Sequence, residues 1–232
     1  YATSGSGAYL HDYGVDAWTN AVLYMGLFDW ANASANEQYF DWLNKLATEN
    51  SWKVPANFAT HQSIGLYHAD ELAIGNFYLE MYRRFREPVM LESVKSRANY
   101  ILDNPPRESM KSNNKQRWTW CDALFMAPRV YVRLYDETGD RRYINFMFNE
   151  FQATYNHLYD KENALFFRDD SYFDKLEKNG EKVFWGRGNG WVVAGIVNML
   201  KNLGPGWPER SFYENLSKEM LTSLLRYQDK KG

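Results

Sequence analysis

The amino-acid sequence predicts an all-α fold of antiparallel helical hairpins, an (α/α)6 toroid of which about eight helices are present. Three observations lead there. Apolar residues recur at helical spacing almost throughout the chain. The connections between helices alternate between short and long. The polar and aromatic clusters able to do chemistry fall on the long connections, which hairpin geometry puts on one face.

The first helix is predicted from Trp18, Ala21, Val22, Met25 and Phe28, behind a possible cap at Asp16. Tyr39, Phe40, Leu43, Leu46 and Ala47 form the apolar face of the second. The third carries Leu72, Phe77, Leu79, Met81 and Phe85; Pro88 opens the fourth, with Val89, Val94, Ala98, Ile101 and Leu102. The fifth is read as continuous from Asp122 to Tyr135. Tyr143, Met147, Phe151, Tyr155 and Leu158 mark the sixth, Trp191, Val192, Gly195, Ile196 and Leu200 the seventh, and Phe212, Leu216, Met220, Leu224 and Tyr227 the eighth. Strand character is confined to Ala164–Phe167 and Val183–Trp185, read as a short hairpin.

Short links join helices one to two, three to four and five to six, whereas long ones precede helices three, five and seven. A closed ring of six hairpins needs twelve helices, which at this spacing would take roughly 350 residues. Residues 1–232 are therefore read as a single α/α-barrel domain lacking mainly the C-terminal part of the ring, with an open helical solenoid as the competing architecture.

Composition narrows the function. Hydrophobic residues make up 45% of the 232, enough for a sizeable core. A formal net charge of −2 predicts no affinity for nucleic acid or anionic membrane, and no run approaches a membrane span. Aromatic content is high at 17%, with 9 Trp and 17 Tyr, whose flat faces and polar edges suit sugar rings as well as a helical core. A single cysteine, Cys121, excludes an internal disulfide framework and a cysteine-based zinc site. The four histidines, His11, His61, His68 and His157, show no metal-ligand spacing, so neither metal nor cofactor is expected. No signal peptide is visible at Tyr1, and the sequence leaves both compartment and oligomeric state open.

The stretch Arg117-Trp118-Thr119-Trp120-Cys121-Asp122 sets one carboxylate among aromatic rings where a polar loop becomes a helix. Such a carboxyl loses water and is favoured in its acid form, as a general acid near neutral pH requires. The plainer reading is a helix cap. Asp70, after Tyr67-His68-Ala69, opens the third helix as Asp122 opens the fifth, so the two carboxylates are expected to converge on one face and divide acid and base labour, or else to be two independent caps. His68 is the one histidine close enough in sequence to join them.

Phe184-Trp185-Gly186-Arg187-Gly188-Asn189-Gly190-Trp191 reads as a glycine-rich loop whose positive-φ backbone approaches a ligand. It is no nucleotide-binding fingerprint. Arg187 suits a carboxylate, and Trp185 and Trp191 suit a stacked ring, against a plain pre-helix turn with buried tryptophans. In Leu165–Phe173, Arg168 is a second candidate anion anchor or the partner of Asp169 or Asp170. No nucleophile elbow is present.

Taken together, Tyr67–Asp70, Trp120–Pro128 and Phe184–Trp191, in that order and spacing, resemble glycoside hydrolase family 105, the unsaturated rhamnogalacturonyl and glucuronyl hydrolases close to family 88. The resemblance covers nearly the whole chain. It implies an (α/α)6 barrel and a hydrolysis acting on short oligosaccharides left by a polysaccharide lyase. In that family an Asp protonates C4 of a 4,5-unsaturated uronic acid at the non-reducing end, water adds at C5, and the resulting hemiketal opens and releases the rest of the sugar. Asp122 corresponds to that acid, Asp70 to the family's second acidic residue, Trp120, Trp185 and Trp191 to stacking positions, and Arg187 to a sugar-contacting arginine. Arg168 stands where several members carry a histidine, keeping a cation but altering the expected sugar preference. A carbohydrate-binding barrel without turnover, a two-carboxylate hydrolase of saturated glycosides and a helical-repeat scaffold are the alternatives; the clustering of Trp and Asp on one face opposes the last.

Overall fold

The structure is a computed structural model that describes residues 14–54, 64–111 and 116–231. His11 and His61 lie outside the described residues. The chain forms two compact units, Tyr1–Pro106 and Arg107–Gly232. All eight expected helices are present among the described residues, and the helical class is as the spacing predicts.

The first unit holds α1 (Trp18–Ser34), α2 (Glu37–Glu49), the single turn α3 (Ile64–Tyr67), α4 (Ala69–Phe85) and α5 (Val89–Asp103). α1 lies against α4, while α2 flanks α1 and α5 flanks α4, giving two helical hairpins side by side. The buried stripe of α1 is Asn20, Ala21, Tyr24, Phe28 and Ala31, at helical spacing. Tyr24 meets Phe77 of α4 with ring centroids 5.3 Å apart, and Phe28 meets Phe40 of α2 at 5.5 Å. Asp16 does not cap α1: the N-cap is Ala17, without a side-chain bond. Both short links behave as expected. Asn36 caps α2 by accepting from the Gln38 N–H at 3.0 Å, and the α4–α5 link turns through Arg86 at φ 61°. Tyr78, fully buried, receives a hydrogen bond from Asn50 Nδ2 at 2.7 Å, and burial pushes its phenol pKa up.

The second unit holds α6 (Ala123–Met126), α7 (Pro128–Thr138), α8 (Arg141–Leu158), β1 (Tyr159–Asp160), β2 (Leu165–Phe166), a 3-10 turn (Asp170–Tyr172), α9 (Gly186–Leu200) and α10 (Arg210–Leu224). The pattern of the first unit recurs: α9 packs on α6 and α7, α8 flanks α7, and α10 flanks α9. Phe151, Phe212 and Tyr213 interlock edge to face between α8 and α10.

Three local expectations are corrected here. The fifth helix is not continuous: it breaks at Ala127, because Pro128 has no N–H to return to the Leu124 carbonyl and starts a new helix at its first position. Residues 164–167 do pair, but their partner is Tyr159–Asp160, with Tyr159 opposite Phe166 and Asp160 opposite Leu165. Val183–Trp185 forms no strand; Lys182 instead bridges Leu176. Finally, the glycine-rich stretch is not a loop. Gly186–Gly190 is the opening of α9, and none of its three glycines has positive φ.

Candidate active site

In the second unit, Asp122 is the residue preceding α6. Its carbonyl accepts from the Phe125 N–H at 2.9 Å, but its side chain makes no capping bond to the helix. The cap reading therefore fails for its carboxylate, though not for its backbone position. Asp122 is half-buried. Two anchors fix the strand of chain leading to it. The Trp118 carbonyl accepts from Thr154 Oγ1 of α8 at 2.6 Å, and the Cys121 N–H donates to the Arg168 carbonyl at 2.9 Å. Below these, Arg117 Nε meets Glu150 Oε2 at 2.8 Å; burial pushes the Glu150 carboxyl up and the Arg117 cation pulls it back. Burial, followed by the neighbouring Asp122 carboxylate, raises the Cys121 thiol, so it sits neutral under the site.

The expected aromatic collar divides in two. Trp118 is a core residue, packed on Tyr131 and Phe146. Trp120 is 39% exposed and lies 4.2 Å from the Arg168 guanidinium carbon, a cation–π contact. Arg168 also stands 4.3 Å from the centroid of Tyr172, and its Nε donates to Asp169 Oδ2 at 2.6 Å. The ion pair with Asp169 is thus real, and among the described residues it engages one edge of the guanidinium only. Asp169, 1% exposed, uses its other oxygen to accept from the Ser171 N–H at 2.9 Å.

On α9, Arg187 is exposed and leans on Trp185, 4.9 Å from the ring centroid. Among the described residues its guanidinium makes no protein hydrogen bond. Trp191 sits one turn on, its ring 4.7 Å from that of Phe125 in α6, which ties the two stacking candidates to the helix that Asp122 opens. Gly188 is required by packing: a Cβ there would run into the Trp185 ring and come 2.8 Å from Cys121 Sγ. Asn189, read from sequence as part of a ligand loop, is a buried cross-link. It accepts from the Phe166 N–H at 2.8 Å and donates to the carbonyls of Phe166 at 2.9 Å and Trp185 at 3.1 Å. Asn189→Ala leaves the Phe166 N–H and carbonyl without these partners in the interior, while the Trp185 carbonyl keeps the backbone N–H of residue 189, and chemical denaturation is expected to show a loss of about 2–4 kcal/mol.

In the first unit, Asp70 lies one residue inside α4, and His68 holds the capping position without a side-chain cap bond. Asp70 is therefore no N-cap, although as a first-turn acid it favours the helix dipole. His68 Nδ1 is 3.8 Å from Asp70 Oδ2, both partly exposed. Burial raises the carboxyl of the neighbouring Glu71, with Arg97 opposing and Asp16 and Asp70 reinforcing. Tyr172 and Lys175 carry no reading from the sequence, and Asp169 only that of a partner for Arg168. The usable signal was an aromatic residue four positions beyond Arg168, flanked by basic and acidic residues.

The second unit thus brings Trp120, two residues before Asp122, into contact with Arg168, whose carbonyl holds the Cys121 N–H, and joins Trp185–Arg187 to the same helix pair through Phe125–Trp191 and Gly188–Cys121. In the first unit, His68 and Asp70 lie next to each other. Among the described residues no group of three or more His, Cys, Asp or Glu could hold a metal ion, and no helix is long and apolar enough to cross a membrane.

Comparison with known proteins follows the same lines. The model of Glycosyl Hydrolase Family 88 matches residues 8–232. A protein of Alteromonas sp. (strain LOR), named unsaturated 3S-rhamnoglycuronyl hydrolase, is 37% identical over 180 residues, covering 72% of this chain and 44% of its own length. One of the same name from Formosa agariphila is 33% identical over 228 residues, covering 93% of this chain and 58% of its own length. The chain therefore spans about half the length of these relatives. The solved structure of a family 88 glycosyl hydrolase from Bacteroides vulgatus superposes with a TM-score of 0.82 at 24% identity, over 93% of this chain and 62% of that one, so the α/α toroid fold is shared. The motif resemblance is borne out at the level of the family: with a match running from residue 8 to residue 232, the chain belongs to glycosyl hydrolase family 88.

Proposed function

We propose that the protein removes a 4,5-unsaturated uronic acid from the non-reducing end of lyase-generated oligosaccharides, with rhamnose as the adjoining sugar, the class its two relatives' names describe. The observation that carries this reading is the side chain of Asp122. It precedes α6 without capping it, two residues after a tryptophan that stacks on the Arg168 guanidinium. In the reaction Asp122 gives its proton to C4 of the enol ether. Water adds its hydroxyl at C5 and returns a proton to the Asp122 carboxylate. The hemiketal then opens, and the leaving sugar departs as a free hydroxyl.

The other residues supply position. Arg187, exposed and without a protein hydrogen bond among the described residues, offers the two-pronged edge that a uronate carboxylate accepts. Trp185, Trp191 and Trp120 offer ring faces, and His68 a polar contact. Asp70 is assigned to the same turnover as the counterpart of the family's second acidic residue. No cofactor enters the chemistry.

The test is to incubate the full-length protein with unsaturated disaccharides from several polysaccharide lyases and to follow the loss of their ultraviolet absorbance. Absorbance that persists with every substrate removes the reading. Asp70→Asn is expected to lower kcat/KM about 10²-fold or more, the scale of a lost general acid–base or charge contact. Wild-type kinetics would leave Asp70 with its helix-dipole role alone.

A further inference from the structure

Glu150 is an acid in the interior, 6% exposed, to which the proposed turnover gives no task. It lies on α8, whose buried residues are otherwise Tyr143, Ile144, Met147, Phe151 and Leu158, with Thr154 the other small polar member. Phe146, Glu150 and Thr154 follow at intervals of four, so they share one face of the helix. All three meet the same two residues of the chain leading to Asp122. Arg117 Nε donates to Glu150 Oε2 at 2.8 Å, and the Trp118 N–H donates to the same carboxylate. Thr154 Oγ1 donates to the Trp118 carbonyl at 2.6 Å, and the Phe146 ring meets the Trp118 ring edge to face at 6.2 Å.

Stability alone does not call for this grip. An ion pair taken out of water gives up most of its attraction to desolvation, and apolar side chains of similar volume hold two segments together as well or better. What hydrogen bonds add is direction. Here they fix Trp118 at both of its backbone groups, the N–H through Glu150 and the carbonyl through Thr154. Arg117 is itself held from a second side, since its Nη1 donates to the Glu108 carbonyl at 2.9 Å. Further along, the Cys121 N–H is bound to the Arg168 carbonyl, and beyond Asp122 the α6 turn packs on α9. Asp122 thus lies between two anchored ends, and α8 makes the upstream anchor. Proton transfer to carbon is sensitive to such placement: a shift of about 1 Å can cost about 10²-fold in rate.

We infer that Glu150 is a positioning residue for the proposed proton donor: from α8 it holds the Arg117 side chain and the Trp118 N–H, and so sets where the segment 117–121 delivers the Asp122 carboxyl. The inference rests on the proposed reaction and adds to it a residue on another helix that acts through the backbone. Cys121 supplies a built-in reporter. It lies inside the held segment, is buried, and packs where a Cβ on Gly188 would come 2.8 Å from its Sγ. Its thiol meets a reagent in the folded protein only when the segment opens.

The test uses the full-length protein with two substitutions. Glu150→Gln keeps the shape but sets an amide N–H₂ against donors, and Glu150→Asp keeps the charge but draws the carboxylate back by one methylene. In each, kcat on an unsaturated disaccharide is expected to fall about tenfold or more, with KM changed by less than about twofold. Alkylation of Cys121 in the folded protein, located by peptide mass mapping, is expected to quicken about tenfold or more. Its rate should not vary with low concentrations of denaturant, the mark of a local opening. Unchanged kcat, unchanged labelling, or labelling that rises only along with global unfolding overturns the inference. So does a failure of both variants to fold, which makes the grip a folding element. If the unsubstituted protein turns over no unsaturated disaccharide, the reaction reading fails by itself, and the labelling still decides whether Glu150 holds the segment.

Discussion

Asp122→Asn in the full-length protein is expected to lower turnover of unsaturated disaccharides by about 10²–10⁴-fold, with no change in the thermal unfolding midpoint. The two halves of this expectation separate an acid from a cap. Asparagine caps helices about as well as aspartate and has nearly the same shape, so a structural role survives the exchange. The Asp122 side chain makes no capping bond in any case, and the α6 segment is held by the Trp118 carbonyl, the Cys121 N–H and the packing of α9. An amide, however, has no proton to give to carbon. The loss corresponds to about 3–5 kcal/mol of barrier, assigned to one transferred proton. Absorbance assays and thermal melts on the same preparation check both halves. Near-normal turnover removes Asp122 from the chemistry, and lost turnover with a lowered midpoint makes it a structural residue.

The second large effect is on folding. Gly195→Ala is expected to destabilise the protein by about 2–4 kcal/mol, read as a shift in denaturant midpoint, and Gly195→Val to prevent folding. A Cβ at this position of α9 would overlap the carbonyl oxygen of Leu124 and come 2.9 Å from the Cα of Phe125. Both obstacles are backbone, so no side-chain rotation relieves them. The geometry also explains why the obstacle is there. Pro128 interrupts the helix one turn beyond Leu124, which leaves that carbonyl without the N–H a continuous helix would return to it. α9 comes against this broken turn where it has no side chain. A midpoint unchanged by Gly195→Ala would mean that the two helices separate without cost.

How far the sequence disclosed this molecule depends on the scale of each feature. Helices were legible because each repeats its apolar stripe over three or more turns; α8, with Tyr143, Met147, Phe151 and Leu158 buried, is an example. Features shorter than one period were not. The pairing of Tyr159–Asp160 with Leu165–Phe166 involves two residues per strand, too few for alternation to register. Pro128 was in plain view, but its effect as a helix starter competed with an apolar run that continues through it. The glycines of Gly186–Gly190 were read for backbone freedom, whereas Gly188 answers to the Trp185 ring and Cys121 Sγ, contacts that only the fold creates. The candidate acid was legible from its company in the chain. Asn189 was not, because its three bonds reach residues up to 23 positions away. Arg168 was visible as a cation, but Tyr172 and Lys175 gained meaning only when the 3-10 turn set them over one another.

The Asn189 cross-link has an evolutionary consequence. It grips Phe166 at one end and Trp185 at the other, so the intervening stretch leaves the scaffold and returns to it at a single clamp. For a loop with pinned ends, added length costs little, growing only as the logarithm of the residue count. Insertions, deletions and recombination in its outer part, beyond the Arg168 carbonyl that holds Cys121 and the Phe173 ring seated on Phe167 and His157, can therefore be sampled by descendants of this chain without disturbing Asp122 or the helices beneath it. Substrate preference can drift between lineages while the proposed proton donor is inherited unchanged.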